Sequence, residues 1–586
     1  MSFLRPKFRK EGNFMWKIIK RLPPLKTLGA ILFLFVQIGC SLYLPYVTAE
    51  IVNNGVASGD TGLIWSKGTF MVVLSIISLV GALFNTLLFS QISYKLGEEL
   101  RSDVYRKALK FSRCEFDKLG ASSLITRNTN DVTQVQTLVE MGLKFLLLAP
   151  IQLVGGIVMT WLLSPAMATV FIAAIPILLI AYFVIYRFAS PLYAKMQSLL
   201  DKLNLYFKEG LTGVKVIRAF SKEKYEMKKY EAVNKEYADA SIKAGTIMGF
   251  FIPILTMLIS FATLFIVWIG GQGASQGTME VGSIIGAISY GAQILTGFAM
   301  LTQVILSIPR GQTSAKRINE VLDMPITIND PDTECNTADR NISLTFDDVD
   351  FRYLGSEQKT LSGISFTVHG GQTLALIGST GDGKSSLVSL ISRMYDVEKG
   401  HVRLNGADVR ELSQKTLHDK VSFVPQTSTL FFGTIRSNML VGKPDATDGE
   451  IWKALDMAQA TEFVRAMDKG LDSTVEKAGG NFSGGQKQRL CIARALLKDA
   501  DVYVFDDSFS ALDFKTDAAV RLSMKEKVKN AVTVIVAQRV CTVQNADQIA
   551  VLDGGALAGL GTHEELMADN PVYQQVVDSQ TYKEAA

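Results

Sequence analysis

The chain has 586 residues, is 48% hydrophobic with a mean hydropathy of +0.22, and is 20% charged. That is too apolar for a wholly soluble protein and too charged for one wholly embedded in lipid, so a membrane half joined to a soluble half is expected. A net charge of +4 gives no reason to expect a nucleic-acid partner.

In chain order, the first half supplies six apolar segments, each close to the ~20 residues that a bilayer crossing takes. They fall at about 27–49, 69–93, 143–164, 166–187, 245–270 and 281–308, with Ser164-Pro165 as the turn between the third and fourth. The first is too long for a signal-peptide core, so no cleavage is expected. Ahead of it stand Arg5, Lys7, Arg9, Lys10, Lys17, Lys20, Arg21 and Lys26 against the single acid Glu11. Segments 95–144 and 187–243 are also rich in Lys and Arg, whereas the loop near 50–67 is short. The positive-inside rule then places the N-terminus and both long segments in the cytoplasm. Their helical periodicity with interleaved charge makes them extensions of the spans. No acid or base sits mid-span, which disfavours an ion path; Gln37, Gln91, Gln152, Gln293 and Gln303 are the main polar residues there. The five cysteines (Cys40, Cys114, Cys335, Cys491, Cys541) are scattered and lack metal-ligand spacing, so reduced cytosolic thiols are expected.

The expected domains are a membrane region at 1–310, a linker at 311–340 that begins as a helix, and an α/β region at 341–586. In that last region ISLTFDDVDFRY, QTLALIG, VSFVPQ, DVYVFDD and AVTVIVAQ read as strands alternating with helices, hence a largely parallel core sheet.

The strand TLALI runs into GSTGDGKSS, comprising Gly378, Ser379, Thr380, Gly381, Asp382, Gly383, Lys384, Ser385 and Ser386. Gly, four residues, then Gly-Lys-Ser is a phosphate loop: glycines let backbone N–H groups curl around phosphate, lysine neutralises it, and the serine hydroxyl ligates Mg2+. Asp382 is an unfavourable neighbour for a polyphosphate unless it points outward. Asp506, at the end of the strand VYVFD, is the matching Mg2+ carboxylate.

NFSGGQKQRLCIARALL, residues 481–497, resembles the signature of ATP-binding cassette (ABC) proteins. With six spans ahead of the cassette, nearly the whole chain resembles an ABC exporter half-transporter. The resemblance implies a six-helix membrane domain with long cytoplasmic extensions, fused to a P-loop ATPase cassette with β and helical subdomains. It implies Tyr353 stacked on adenine, Gln426 as a Mg2+ and coupling residue, and Ser483, Gly484, Gly485 and Gln486 as the signature. It also implies a loop, Ser510 to Asp513, that crosses to a second cassette. Turns near 114–122 and 208–216 correspond to coupling helices. ATP and Mg2+ are the implied cofactors, and two cassettes would close on two ATP molecules, each held between one phosphate loop and the opposite signature.

The chain departs from that pattern at two catalytic positions. Asp507 stands where most active cassettes have Glu, and Gln538 where most have His. Asp holds its carboxylate one methylene further back, and such a misplacement costs on the order of 100-fold. Gln donates a hydrogen bond but cannot exchange a proton as His does. Lys477 replaces a glutamate usual before the signature, and Phe482 replaces a leucine. The expectation is one subunit of a heterodimer: it grips ATP in its own slow site, and its signature serves a partner that carries Glu and His. The alternative is an ordinary homodimer in which Asp507 still works. The expected setting is the plasma membrane of a bacterium, with both termini cytoplasmic, and the expected cargo is hydrophobic or amphipathic. A lipid or lipopeptide flippase and an ATP-gated channel are the competing readings.

Overall fold

The computed structural model describes residues 15, 17–335 and 341–584. The basic run from Arg5 to Glu11, the last five residues of the expected linker and the final two residues lie outside these. The chain divides into two compact units, one made of residues up to Leu109 plus Ser122–Met324, the other of Lys110–Ala121 plus everything from Pro325 on.

Among the described residues, six helices are long and apolar enough to cross a membrane: Pro24–Val56, Thr61–Ala108, Ala121–Leu163, Pro165–Thr212, Glu223–Ser275 and Val281–Leu322. Each overruns the apolar core read from sequence; in the second to sixth, charged and strongly helical segments continue the same helix, whereas the first runs on through the uncharged IVNNGV. The sequence sets their ends. The Asp60 carboxylate accepts from Leu63 N–H at 3.0 Å and starts the second helix. Extended Ser164 followed by Pro165 separates the third from the fourth. The last helix continues to Leu322, so the expected linker is helical from its start to that residue. Small residues allow close approach: a side chain at Gly282 would collide with the Ala49 carbonyl. The buried Tyr290 hydroxyl donates to the Leu42 carbonyl at 2.7 Å and fixes the first helix against the last.

The second unit is built on two large sheets, with a short antiparallel ladder of β7 (Gly433–Thr434) and β8 (Thr474–Val475) beside them. β1 (Ser343–Phe351), β2 (Leu361–His369), β4 (Lys399–Leu404) and β5 (Ala407–Asp408) form an antiparallel sheet ordered β2-β1-β4-β5. The core sheet is ordered β12-β11-β3-β10-β9-β6, from β3 (Thr373–Gly378), β6 (Val421–Val424), β9 (Val502–Asp506), β10 (Val532–Val536), β11 (Gln548–Asp553) and β12 (Ala556–Gly561). Only β12 is antiparallel to its neighbour. Alternate residues feed opposite faces: Leu374, Leu376, Val502 and Val504 join one apolar cluster, Ala375, Ile377, Tyr503 and Phe505 the other. With both faces covered, the strands read as near-continuous apolar runs.

Residues 110–121 come from the loop after the second span and belong to this second unit. They form the helix Arg113–Leu119, opened by a Ser112–Glu115 capping box. The other Glu115 oxygen accepts from Thr327 N–H at 3.1 Å and from its hydroxyl at 2.7 Å. Burial alone would raise the Glu115 carboxyl, but these donors outweigh it and hold it below the usual range. Asp117 accepts from the Tyr395 hydroxyl at 2.9 Å. The corresponding helix of the other long loop, Val214–Ala219, has no buried residue.

Candidate functional site

Register assembles the site. In the parallel core sheet Val424 lies beside Phe505, and Val536 lies beside Asp506. One or two residues beyond those pairs, the carboxyl ends of β6, β9 and β10 deliver Gln426, Asp507 and Gln538 to one corner. β3, next to β10, delivers the phosphate loop to the same edge, the usual ligand side of a parallel sheet.

The loop itself requires glycine. Gly381 and Gly383 have φ of +102° and +88°, where an L side chain is strained. A Cβ at Gly383 would also lie 2.7 Å from Leu361 Cδ2 and 2.9 Å from the Thr360 carbonyl. Gly383 starts the helix Lys384–Ile391, so the loop opens at a helix N-terminus suited to phosphate. The Lys384 ammonium donates to the carbonyls of Gly378 at 2.9 Å and Ser379 at 2.6 Å. Burial lowers its pKa, opposed by Asp382, Asp507 and Asp506. Asp382 does turn away: its Oδ1 accepts from Gly554 N–H at 3.3 Å, in the β11–β12 turn.

The Ser385 hydroxyl donates to Asp506 Oδ1 at 2.9 Å. A hydroxyl, a carboxylate and the nearby Gln426 amide are hard oxygen donors that suit Mg2+, and the glycine cradle suits a polyphosphate, so the residues fit Mg2+ and ATP. Bound there, Mg2+ would neutralise phosphate charge. Burial pushes the carboxyls of both Asp506 and Asp507 up from the ordinary range.

Asp507 is held on several sides. Gln538 Nε2 donates to its Oδ2 at 3.0 Å, and Gln426 Nε2 to the same atom at 3.4 Å. Its N–H donates to the Val536 carbonyl at 3.1 Å, and the Ser510 hydroxyl donates to its carbonyl at 2.9 Å. Its backbone is left-handed, with φ of +48°. Asp tolerates that region better than longer acids because its short side chain bonds locally. No feature of the sequence announced this local reason for the shorter acid.

Tyr353 sits edge-on to Phe351 and Tyr395, with ring centroids 4.9 and 5.3 Å away. Its hydroxyl lies 2.8 Å from Ser386 Oγ, and the residue is 37% exposed, which leaves it able to offer a stacking face. The signature begins the helix Gly484–Leu496 through a Ser483–Gln486 capping box, with Ser483 N–H donating to Gln486 Oε1 at 2.9 Å. The Ser510–Asp513 loop packs on that helix: Ala511 N–H donates to Gln488 Oε1 at 3.1 Å. Asp513 caps the following helix through Thr516 N–H at 2.9 Å. Among the described residues no hydrogen bond joins Ser483–Gln486 to Gly378–Ser386. The structure therefore brings Lys384, Ser385, Asp506, Asp507, Gln426 and Gln538 together and does not bring the signature to them. Lys477 is exposed on a short turn, and Phe482 is buried against Phe463 with centroids 6.4 Å apart.

Comparison with known proteins gives the same picture. Residues 27–298 match the family described as ABC transporter transmembrane region, and residues 361–510 match ABC transporter. An uncharacterized ABC transporter ATP-binding protein of Mycobacterium tuberculosis (strain CDC 1551 / Oshkosh) is 40% identical over 568 residues, covering 96% of this chain and 97% of the relative. An ATP-dependent lipid A-core flippase of Vibrio parahaemolyticus is 27% identical, covering 96% of both chains. The structure of a bacterial Atm1-family ABC exporter with ATP bound superposes with a TM-score of 0.78 at 26% identity, covering 95% of this chain and 99% of that one.

Proposed function

This chain belongs to the ABC transporter family, and from that premise we propose that it is one half of a heterodimeric exporter whose own nucleotide site binds Mg–ATP but rarely cleaves it. ATP hydrolysis coupled to transport is the activity of the family's ATPase domain; the finer reading concerns which site does the cleaving. The observation that carries it is the corner around Asp507. There the acid nearest the γ-phosphate position is a short one, tied at Oδ2 by two neutral amides, and one of those amides stands where a proton-exchanging imidazole is usual. Lys384, Ser385, Asp506, Gln426 and Tyr353, which grip the nucleotide, are all in place.

Ser483 to Gln486 lie apart from this chain's phosphate loop and serve the ATP of a partner cassette that supplies Glu and His. Asp513 and its loop face that partner. The exposed apolar side chains Leu211, Val216 and Phe220 around the second long-loop turn support a partner surface as well. Both termini are cytoplasmic, the bilayer is a bacterial plasma membrane, and the segments 1–310, 311–340 and 341–586 act as membrane domain, connector and cassette.

The cargo is hydrophobic or amphipathic, of the multidrug type. A cavity of about 340 Å³ between the fourth and fifth spans, lined by Val170, Ile177, Phe261 and Phe265 among others, supports an apolar cargo. Away from that cavity, Gln152 on the third span and Gln293 on the sixth each keep a buried amide oxygen with no hydrogen-bond partner among the described residues. A lipid-like cargo is the second reading, supported by the flippase relative.

Co-expression tests the asymmetry. Purified alone, the chain is expected to hydrolyse ATP near background; purified with the product of an adjacent half-transporter reading frame, it is expected to turn over robustly. Vigorous hydrolysis by the chain alone would falsify the heterodimer. Transport of fluorescent amphipathic dyes against labelled phospholipid in proteoliposomes separates the two cargoes.

A further inference from the structure

The segment that carries Gln538 is gripped from behind by the C-terminal helix Pro571–Glu584. The Gln580 side chain accepts from Val540 N–H at 2.8 Å through Oε1 and donates from Nε2 to the Gln538 carbonyl at 2.7 Å. One side-chain amide thus acts as a strand neighbour for the step from 538 to 540, just after β10 has ended at Val536. Between those two residues Arg539 reaches the other way. Its guanidinium lies 4.9 Å from the Phe514 ring centroid and donates to the Ser510 carbonyl at 3.4 Å.

The helix that carries Gln580 is itself anchored. Tyr573 is fully buried, its hydroxyl lies 2.7 Å from His563 Nδ1, and its N–H donates to Asn570 Oδ1 at 2.9 Å. Asn570 in turn donates to the Ala558 carbonyl on β12 at 2.9 Å. Around the clamp is a cleft of about 840 Å³ lined by Asp507, Ser510, Gln538, Arg539, His563 and Gln580, with room for the segment to move if released.

We infer that Gln580 is a positioning residue for the γ-phosphate corner: by pairing with the backbone of Gln538 and Val540 it fixes where the Gln538 amide points, and so how long nucleotide stays bound. Among the described residues Gln580 makes no hydrogen bond to the phosphate loop; it acts through the Gln538 backbone, whose side chain then meets Asp507 at 3.0 Å. The inference rests on the reading of Gln538 as the residue that contacts the γ-phosphate.

The test uses the full-length protein in lipid nanodiscs with Mg–ATP, comparing wild type with Gln580→Ala, Gln580→Glu and Gln538→Ala. Each is checked by thermal melting, and Gln580→Glu keeps the acceptor for Val540 N–H if the alanine variant folds poorly. Hydrogen exchange at residues 537–541 and the rate of ATP release are measured beside equilibrium ATP affinity. Removing the clamp is expected to raise exchange and to speed release roughly five- to tenfold, the loss of one or two hydrogen bonds. Affinity should change far less, because a freed segment opens the corner to entry as well as to release, so association speeds together with dissociation while Lys384, Ser385 and Tyr353 are untouched. Gln580→Glu, which keeps one bond and repels the Gln538 carbonyl, should fall between. If Gln538→Ala speeds release and Gln580→Ala does not, the clamp is overturned and the switch reading survives. If Gln538→Ala is itself without effect, the switch reading falls and takes the inference with it.

Discussion

The two halves of the nucleotide site are held by different chemistry. On the phosphate-loop side a cation, a hydroxyl and a carboxylate form short contacts: Lys384 to two loop carbonyls, and Ser385 to Asp506. On the far side, around Asp507, two neutral amides share one oxygen of a short acid, at 3.0 and 3.4 Å. Gripping a polyphosphate needs fixed positive charge and backbone donors, and all of these remain. Aligning a water needs an acid of the right reach and a partner able to exchange a proton, and both positions are altered. Under the proposed reading, binding and bond cleavage separate within one pocket, and substitutions on either side test that separation.

The largest effect belongs to Lys384→Ala. Hydrogen bonds to charged groups are worth about 1.5–3 kcal/mol each, and this ammonium would serve the phosphates while fastening the loop through Gly378 and Ser379. ATP affinity is expected to drop about 100-fold or more by equilibrium binding. A loss under threefold would mean that the backbone cradle alone does the gripping. Next comes the double substitution Asp507→Glu with Gln538→His, expected to raise cleavage at this site roughly 10- to 100-fold. The left-handed φ of +48° at position 507 opposes the longer acid, so Asp507→Glu alone should gain less than the pair. Counting ADP beside Lys384 under single-turnover conditions checks both, and unchanged cleavage would remove these two residues as the cause of the proposed slow turnover.

Much of this is legible in the sequence alone. Charge-free runs gave six spans, because lipid contact forbids charge whatever the packing. The phosphate loop and the VYVFD strand were readable because their chemistry requires fixed residue types at fixed spacing. What escaped was set by long-range register. β2, β4, β11 and β12 were not singled out: Ile364 to His369 in β2 alternate cleanly and were readable as a strand, whereas ALAGLG in β12 carries only weak alternation. Nothing local marks Asp507 as left-handed, Gly554 as the partner of Asp382, or Gln580 as the neighbour of the 538–540 backbone. Those contacts span 42 residues for Gln580 and 172 for Asp382.

Smaller effects sharpen the gripping side. Tyr353→Ala should weaken ATP binding about tenfold if the ring stacks on adenine, since base–aromatic stacking is worth about 1–3 kcal/mol. Tyr353→Phe keeps the ring and loses only the contact with Ser386. It should stay within about threefold of wild type; a loss as large as that of the alanine variant would place the importance in the hydroxyl.

The smallest effect concerns the one feature of the phosphate loop that opposes its task. Asp382 puts a negative charge inside a loop built for polyphosphate, yet its carboxylate is turned to Gly554 N–H and is only half-buried. Solvent therefore screens much of its repulsion. Asp382→Asn keeps the oxygen that accepts from Gly554 and removes the charge. ATP affinity is expected to rise about two- to fivefold at low ionic strength, and the gain should shrink toward nothing near 0.5 M salt, where the Debye length is only a few ångströms (about 3 Å at 1 M). Weaker binding at every salt concentration would reverse the sign of the argument. It would show that the negative charge at 382, through Gly554 or by supporting Lys384, holds the loop in its phosphate-binding shape.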